Sequence, residues 1–189
     1  MKSVTASALV MAALFFSGCD KGPEPRQNES REHLTSTLSF PFRDPKWTPP
    51  VVKCGETFEN NKVRFTYRKA TREESPDYQG CSSQSIEKDN YSEFEIIAGS
   101  TFVIDVSRYK GISSIGILGY RDYCGFAAGR IYAVDLDGKI IDIVEPEVDY
   151  ESTNDIIFEN NLENLKEVRI VGLCEVVRPS EIRIRGSNE

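Results

Sequence analysis

Between Lys62 and Arg68 apolar and polar residues alternate without a slip. Val63, Phe65 and Tyr67 fall on one side of an extended chain, and Arg64, Thr66 and Arg68 fall on the other. A period of two buries one face of a strand and leaves the other in water; the same residues wound as a helix would scatter around it. Similar short runs recur at Glu93–Ala98, Thr101–Val106, Ser113–Tyr120, Arg130–Leu136, Lys139–Val144, Asp155–Glu159, Glu167–Leu173 and Glu181–Arg185. No stretch beyond Pro50 carries an apolar stripe at helical spacing. About nine short strands and no long helix predict an all-β domain, a single antiparallel β-sandwich.

The strongest local signal is Asp137-Gly138 between two of these runs. A two-residue type I′ turn wants φ > 0 at both positions, which Asp-Gly accepts. It would set Leu136 opposite Lys139, Val134 opposite Ile141 and Tyr132 opposite Ile143. Four apolar residues then share one face. Asp135-Leu136-Asp137-Gly138 lacks the third acidic position and the distal Glu of a calcium loop.

The first fifty residues differ in kind. Met1-Lys2 precedes an apolar run from Val4 to Phe16, too short to span a bilayer but suited to a signal-peptide core. Ser17-Gly18-Cys19 resembles the lipobox of bacterial lipoproteins, although Phe16 stands where that family carries an aliphatic residue. The resemblance implies cleavage before Cys19, lipid on its sulfur and amino group, and a membrane anchor. Residues 1–18 are then signal peptide. Asp20 resembles the inner-membrane retention signal of enterobacterial lipoproteins, which implies a cell-envelope protein facing the periplasm.

Residues 19–50 read as a lipidated tether, because residues 21–50 hold six of the chain's nine prolines. Within them Leu38-Ser39-Phe40-Pro41-Phe42 and Trp47 are unusually apolar for a tether. They either pack along the domain's edge or form a short recognition motif. The remaining 51–189 are long enough for one domain with a real core. The only histidine, His33, falls in the tether. The domain is thereby left without the usual general base and the commonest metal ligand. A formal charge of −7 argues against nucleic acid, which needs a basic footprint.

The order of strand patterns from Phe94 through Val144 to Val168-Arg169-Ile170-Val171-Gly172 and Ile182-Arg183-Ile184-Arg185 resembles galactose-binding-like jelly rolls, of the sort found in discoidin-type and carbohydrate-binding modules. The resemblance implies a sandwich that binds ligands through loops at one end. No specific motif matches, so no binding residue carries over.

Cys54, Cys81, Cys124 and Cys174 follow the export signal, and four such cysteines predict two disulfides. Three pairings are possible. Cys54–Cys81 with Cys124–Cys174 is preferred, pinning residues 69–91 to the domain's start and tying together two strand ends. The spacings match no zinc motif.

The candidate binding residues are Tyr120, Arg121, Asp122, Tyr123 and Phe126, read as a loop beside Cys124. Aromatic rings and arginine supply stacking and planar hydrogen bonding; the alternative is a disulfide-braced turn that packs its own rings. Glu145, Glu147, Asp149 and Glu151 alternate as an acidic edge, solvated or docked to a basic protein. Arg64, Arg68, Arg183 and Arg185 would form a basic stripe if their strands were neighbours. There is no Ser/His pair, P-loop or dinucleotide-binding glycine pattern. The expectation is therefore a non-enzyme without cofactor or metal: a lipid-anchored envelope module binding a protein or glycan. The alternatives are an immunity or inhibitor lipoprotein against an envelope-targeting toxin or hydrolase, and a glycoside hydrolase working with two carboxylates.

Overall fold

The structure is a computed structural model that describes residues 30–42, 51–77, 79–81, 84–85, 94–122, 129–146, 154–173 and 176–187. Every regular element among them is a strand. The chain begins with β1 (Glu32–His33), β2 (Thr37–Pro41), β3 (Val51–Val52), β4 (Thr57–Asn60), β5 (Val63–Lys69) and β6 (Gln84–Ser85). It continues with β7 (Ile96–Ile97), β8 (Ser100–Asp105), β9 (Tyr109–Lys110), β10 (Ile112–Asp122) and β11 (Gly129–Asp135). Last come β12 (Ile140–Val144), β13 (Asn154–Phe158), β14 (Leu165–Gly172), β15 (Val176–Arg178) and β16 (Glu181–Gly186).

Two larger antiparallel sheets carry the fold. The first runs β12-β11-β14-β8-β5-β4. The second is built on β10, whose partners are β16 and then β15 along one flank and β13 along the other. β2 closes this sheet on β16, and β7 extends it on β15. Two short pairs complete the set, β3 with β6 and the parallel β1 with β9.

The alternation read from sequence explains the core. Val63, Phe65 and Tyr67 are fully buried, while Arg64 and Lys69 are exposed to solvent. One cluster joins Phe65, Phe102, Ile104, Ile131 and Ile170 of the first sheet to Phe40, Ile115, Ile117, Phe158, Ile182 and Ile184 of the second. Ring contacts cross it: Phe40 meets Phe65 edge-on at 5.0 Å, and Phe94 meets Phe102 at 4.6 Å. Each such pair contributes on the order of 1 kcal/mol beyond its buried area.

Several expectations need correction. The domain begins before residue 51, and residues 38–42 pack along its edge, the first of the two readings offered for them. β2 pairs with β16, Ile182 opposite Phe40, and Phe40 and Phe42 are buried in the core. Pro41 is tolerated there because β2 is an edge strand, where a missing N–H costs no ladder bond. His33 likewise sits in β1 opposite Lys110. Trp47 lies outside the described residues.

The Asp-Gly hairpin has a longer turn than a type I′ loop. Asp135 N–H bonds to the Lys139 carbonyl at 2.9 Å, and its carboxylate accepts the N–H groups of Asp137 and Lys139 at 3.0 and 2.8 Å. Gly138 alone takes a left-handed conformation, with φ of 83°. That is a three-residue loop with a bulge, which the Asp135 side chain favours by satisfying two loop donors. The bulge puts Ile140, not Ile141, opposite Val134, while Tyr132 still faces Ile143. The two-residue turn with positive φ at both positions is Asn61-Lys62 between β4 and β5, at 47° and 59°. Asparagine is among the residues that tolerate this region.

The basic stripe does not form, because β5 and β16 belong to different sheets. Arg64 pairs with Asp105 at 3.4 Å, Arg68 with Glu74, and Arg183 with Glu181 at 2.9 Å.

Candidate functional site

Antiparallel pairing sorts the connections by end. Lys69 lies opposite Ser100, Gly129 opposite Gly172, and Ile131 opposite Val144. From this end leave connections 70–95, 123–128, 145–153 and 173–175, together with the two-residue turns 98–99 and 179–180. The opposite end carries the turns 61–62, 106–111, 136–139 and 159–164. Connections 70–95 and 145–153 are longer than any at the opposite end.

At the long-connection end, Tyr120 is part of β10 and not of a loop. Its ring is fully buried within the main core cluster. A bulge puts it there: the β10–β13 register shifts between Ile117 and Tyr120, and Gly119 takes φ of 59°. Without that extra residue Tyr120 would share the outward face of Leu118. Tyr120 therefore supports the strand end and does not present its ring to a ligand. Arg121 and Asp122 pair with Arg178 and Val177. Tyr123 and Phe126 lie outside the described residues, as do residues 147–151 of the acidic run. Glu145 is exposed and accepts from Arg130 Nε at 2.6 Å.

Close backbone approach shapes the same end. At Gly172 a Cβ would stand 2.4 Å from the Ile97 carbonyl oxygen. The Gly172 carbonyl accepts the Gly99 N–H at 2.8 Å, and the Gly99 carbonyl accepts those of Ala70 and Gly80 at 2.8 and 3.1 Å. Gly172→Ala is expected to cost about 2 kcal/mol through overpacking, read as a lowered denaturation midpoint with an unchanged m-value. An unchanged midpoint would contradict the close approach.

Two devices brace the segment between Ala70 and Cys81, and the cysteine pattern announced only one of them. The Cys54–Cys81 disulfide is present, with Cα atoms 5.7 Å apart. The other is Glu74, which is 3% exposed. It accepts Arg68 Nη1 and Nη2 at 2.8 and 2.7 Å, Thr71 N–H at 2.9 Å, Thr101 Oγ1 at 3.0 Å and Arg169 Nη1 at 3.3 Å. Burial alone would push this carboxyl's pKa up. The Arg68 hydrogen bonds and charge, with those from Thr71 and Thr101, outweigh burial and hold it at about 2. Thr71-x-x-Glu74 is a capping-box pattern, since the Thr71 hydroxyl also accepts the Glu74 N–H at 3.2 Å. That spacing was the available sequence signal; Arg169, ninety-five positions away, gave none.

Cys124 and Cys174 lie outside the described residues. Their chain neighbours are strand partners, Asp122 with Val177 and Gly129 with Gly172. Peptide mapping without reduction is expected to yield a Cys124–Cys174 peptide; free thiols at both positions would contradict the pairing.

Among the described residues no cluster of His, Cys, Asp and Glu is placed to hold a metal ion, and no helix is long and apolar enough to cross a membrane. What the described part of this end supplies is a braced frame with paired charges, Arg130 with Glu145 and Arg178 with Glu95.

No family model and no curated protein matches the chain. Among solved structures, a histidine mutant of the lectin binding domain of lectinolysin, complexed with Lewis b, is similar at a TM-score of 0.35 and 8% identity. The likeness covers 87% of this chain and 100% of that one. At that level it carries no argument about the ligand of this all-β chain.

Proposed function

We propose that the chain is a lipid-anchored binding module of the bacterial cell envelope, without catalytic activity. In this proposal the two larger sheets form one jelly-roll-like sandwich that recognises a protein or envelope glycan through the connections at one end. The observation that carries it is that connections 70–95 and 145–153, longer than any at the opposite end, leave the same end of the first sheet. The acidic balance of the chain, −7 formally, and the acidic residues at 145–151 support the narrower form in which the module neutralises a basic toxin or hydrolase, since opposite charge speeds encounter.

Cys19 carries the lipid in this proposal, and the chain faces the periplasm. Cys19→Ser is expected to abolish palmitate labelling and move the protein from membranes to the soluble fraction; continued membrane recovery would sink the anchor. For binding, the full chain is immobilised through its N-terminus and exposed to envelope extract. The double variant Tyr123→Ala, Phe126→Ala is expected to lose the retained partner while unfolding at the same temperature as the parent. Equal retention by both would remove the long-connection end as the site.

A further inference from the structure

The chain enters the fold at the end opposite the long connections, and Arg31 fixes that entry. Its guanidinium donates to the carbonyl of Ser107 at 3.1 Å and to those of Glu163 and Leu165 at 3.2 Å each. Ser107 lies between β8 and β9, and Glu163 between β13 and β14. One side chain thus ties the entering segment to two turns of the same end. Glu32 N–H bonds to the Arg108 carbonyl at 2.8 Å, and Leu34 N–H to that of Lys110 at 2.9 Å. Lys62, in the β4–β5 turn, pairs with Glu32. The Tyr109 hydroxyl donates to the Asn61 carbonyl at 2.6 Å and joins that turn to β9. The His33 ring covers Gly111 so closely that a Cβ there would come within 2.5 Å of it. From this end β2 climbs along β16, with Thr37 opposite Arg185 and Pro41 opposite Glu181.

We infer that the domain is held by its tight-turn end and presents the long connections away from the bilayer that anchors it. The partner then stands off that membrane, as a soluble molecule or one borne by another layer of the envelope. The inference rests on the proposed lipid at Cys19. The described fold begins at Ser30 and already holds Arg31, so ten residues, 20–29, separate it from Cys19. A chain of ten residues reaches roughly 31 Å when extended at ~3.1 Å per residue, and a random coil of that length averages about 18 Å. β14 alone, eight residues long, spans about 26 Å. Laying the long connections on the anchoring bilayer would lift the entry end by at least that length and draw the tether toward full extension. The lost chain entropy opposes it. Headgroups of the anchoring membrane are thereby disfavoured as the ligand.

Energy transfer tests the orientation. The full lipidated chain is reconstituted in phosphatidylethanolamine–phosphatidylglycerol vesicles that carry an acceptor dye on a headgroup. A donor dye is attached through an azide-bearing residue at Lys53, beside the disulfide of the long-connection end, or at Asp137, in a tight turn. Both positions are exposed, and both labelled proteins are checked for an unchanged unfolding temperature. Transfer from position 137 is expected to exceed that from position 53 at least twofold. Equal transfer, or the reverse order, in protein that floats with the vesicles overturns the orientation while leaving the anchor standing. Lipidated chain that fails to float overturns the anchor and the orientation with it.

Discussion

Replacing Glu74 by glutamine is expected to lower stability at neutral pH by about 2–4 kcal/mol and to flatten the acid side of the stability profile. Glu74 is buried beneath Arg68 and Arg169 and bonded to Thr71 and Thr101. Its pKa falls from 4.5 to about 2 in the fold. A carboxyl whose folded pKa is depressed contributes fully above its unfolded value and loses that contribution as pH falls through the folded one. The window therefore lies between pH 4.5 and about 2, and the linkage is worth about 3 kcal/mol. Arg68 is part-exposed and can turn to water when its partner is neutral, and Arg169 retains Glu167 at 2.5 Å. The loss therefore stays below that of stranding a fully buried cation. Urea midpoints at pH 7, 4 and 3 for parent and Glu74→Gln test this. Parallel curves would show that Glu74 is not the group responsible.

Removal of the Cys54–Cys81 bridge by paired serine substitution is expected to cost about 3–4 kcal/mol. The bridge closes a loop across a separation of 27 residues, and loop-closure entropy for that length gives this magnitude. For a domain of this size the loss corresponds to roughly 10 °C in melting temperature. The bridge and Glu74 both hold residues 70–81, so their effects are expected to be coupled. Once Glu74 is neutral, breaking the disulfide should cost a different amount than in the parent, and a double-mutant cycle reads the difference. Strict additivity would mean that the two restrain the segment independently.

The strands legible in the sequence were those whose alternation met a core on one side. Val63, Phe65 and Tyr67 announced β5, and the run from Arg130 announced β11. The strands that escaped were masked by composition. Thr57–Asn60 offers one apolar residue, Phe58, and Thr37–Pro41 carries a proline acceptable only at an edge. A fold boundary drawn at residue 51 followed the prolines and so left out Phe40 and Phe42, which are core residues. Tyr120 misled for another reason. Aromatic, Arg and Asp neighbours suggested a loop, but the bulge at Gly119 turns that ring inward, and one inserted residue reverses every later side chain. The Cys54–Cys81 pairing was within reach of spacing and position. Arg31 and Arg169 were not, because each acts on backbone or carboxylate far along the chain.

Hydroxyl-radical footprinting tests most directly the claim that one end of the domain does the binding. The full lipidated chain is probed in isolated envelopes and again as purified protein in detergent. Protection in envelopes is expected at residues 123–128 and 145–153, with none at Asn61, Asp137 or the other tight turns. Protection confined to the tight-turn end, or identical footprints in both settings, would contradict it.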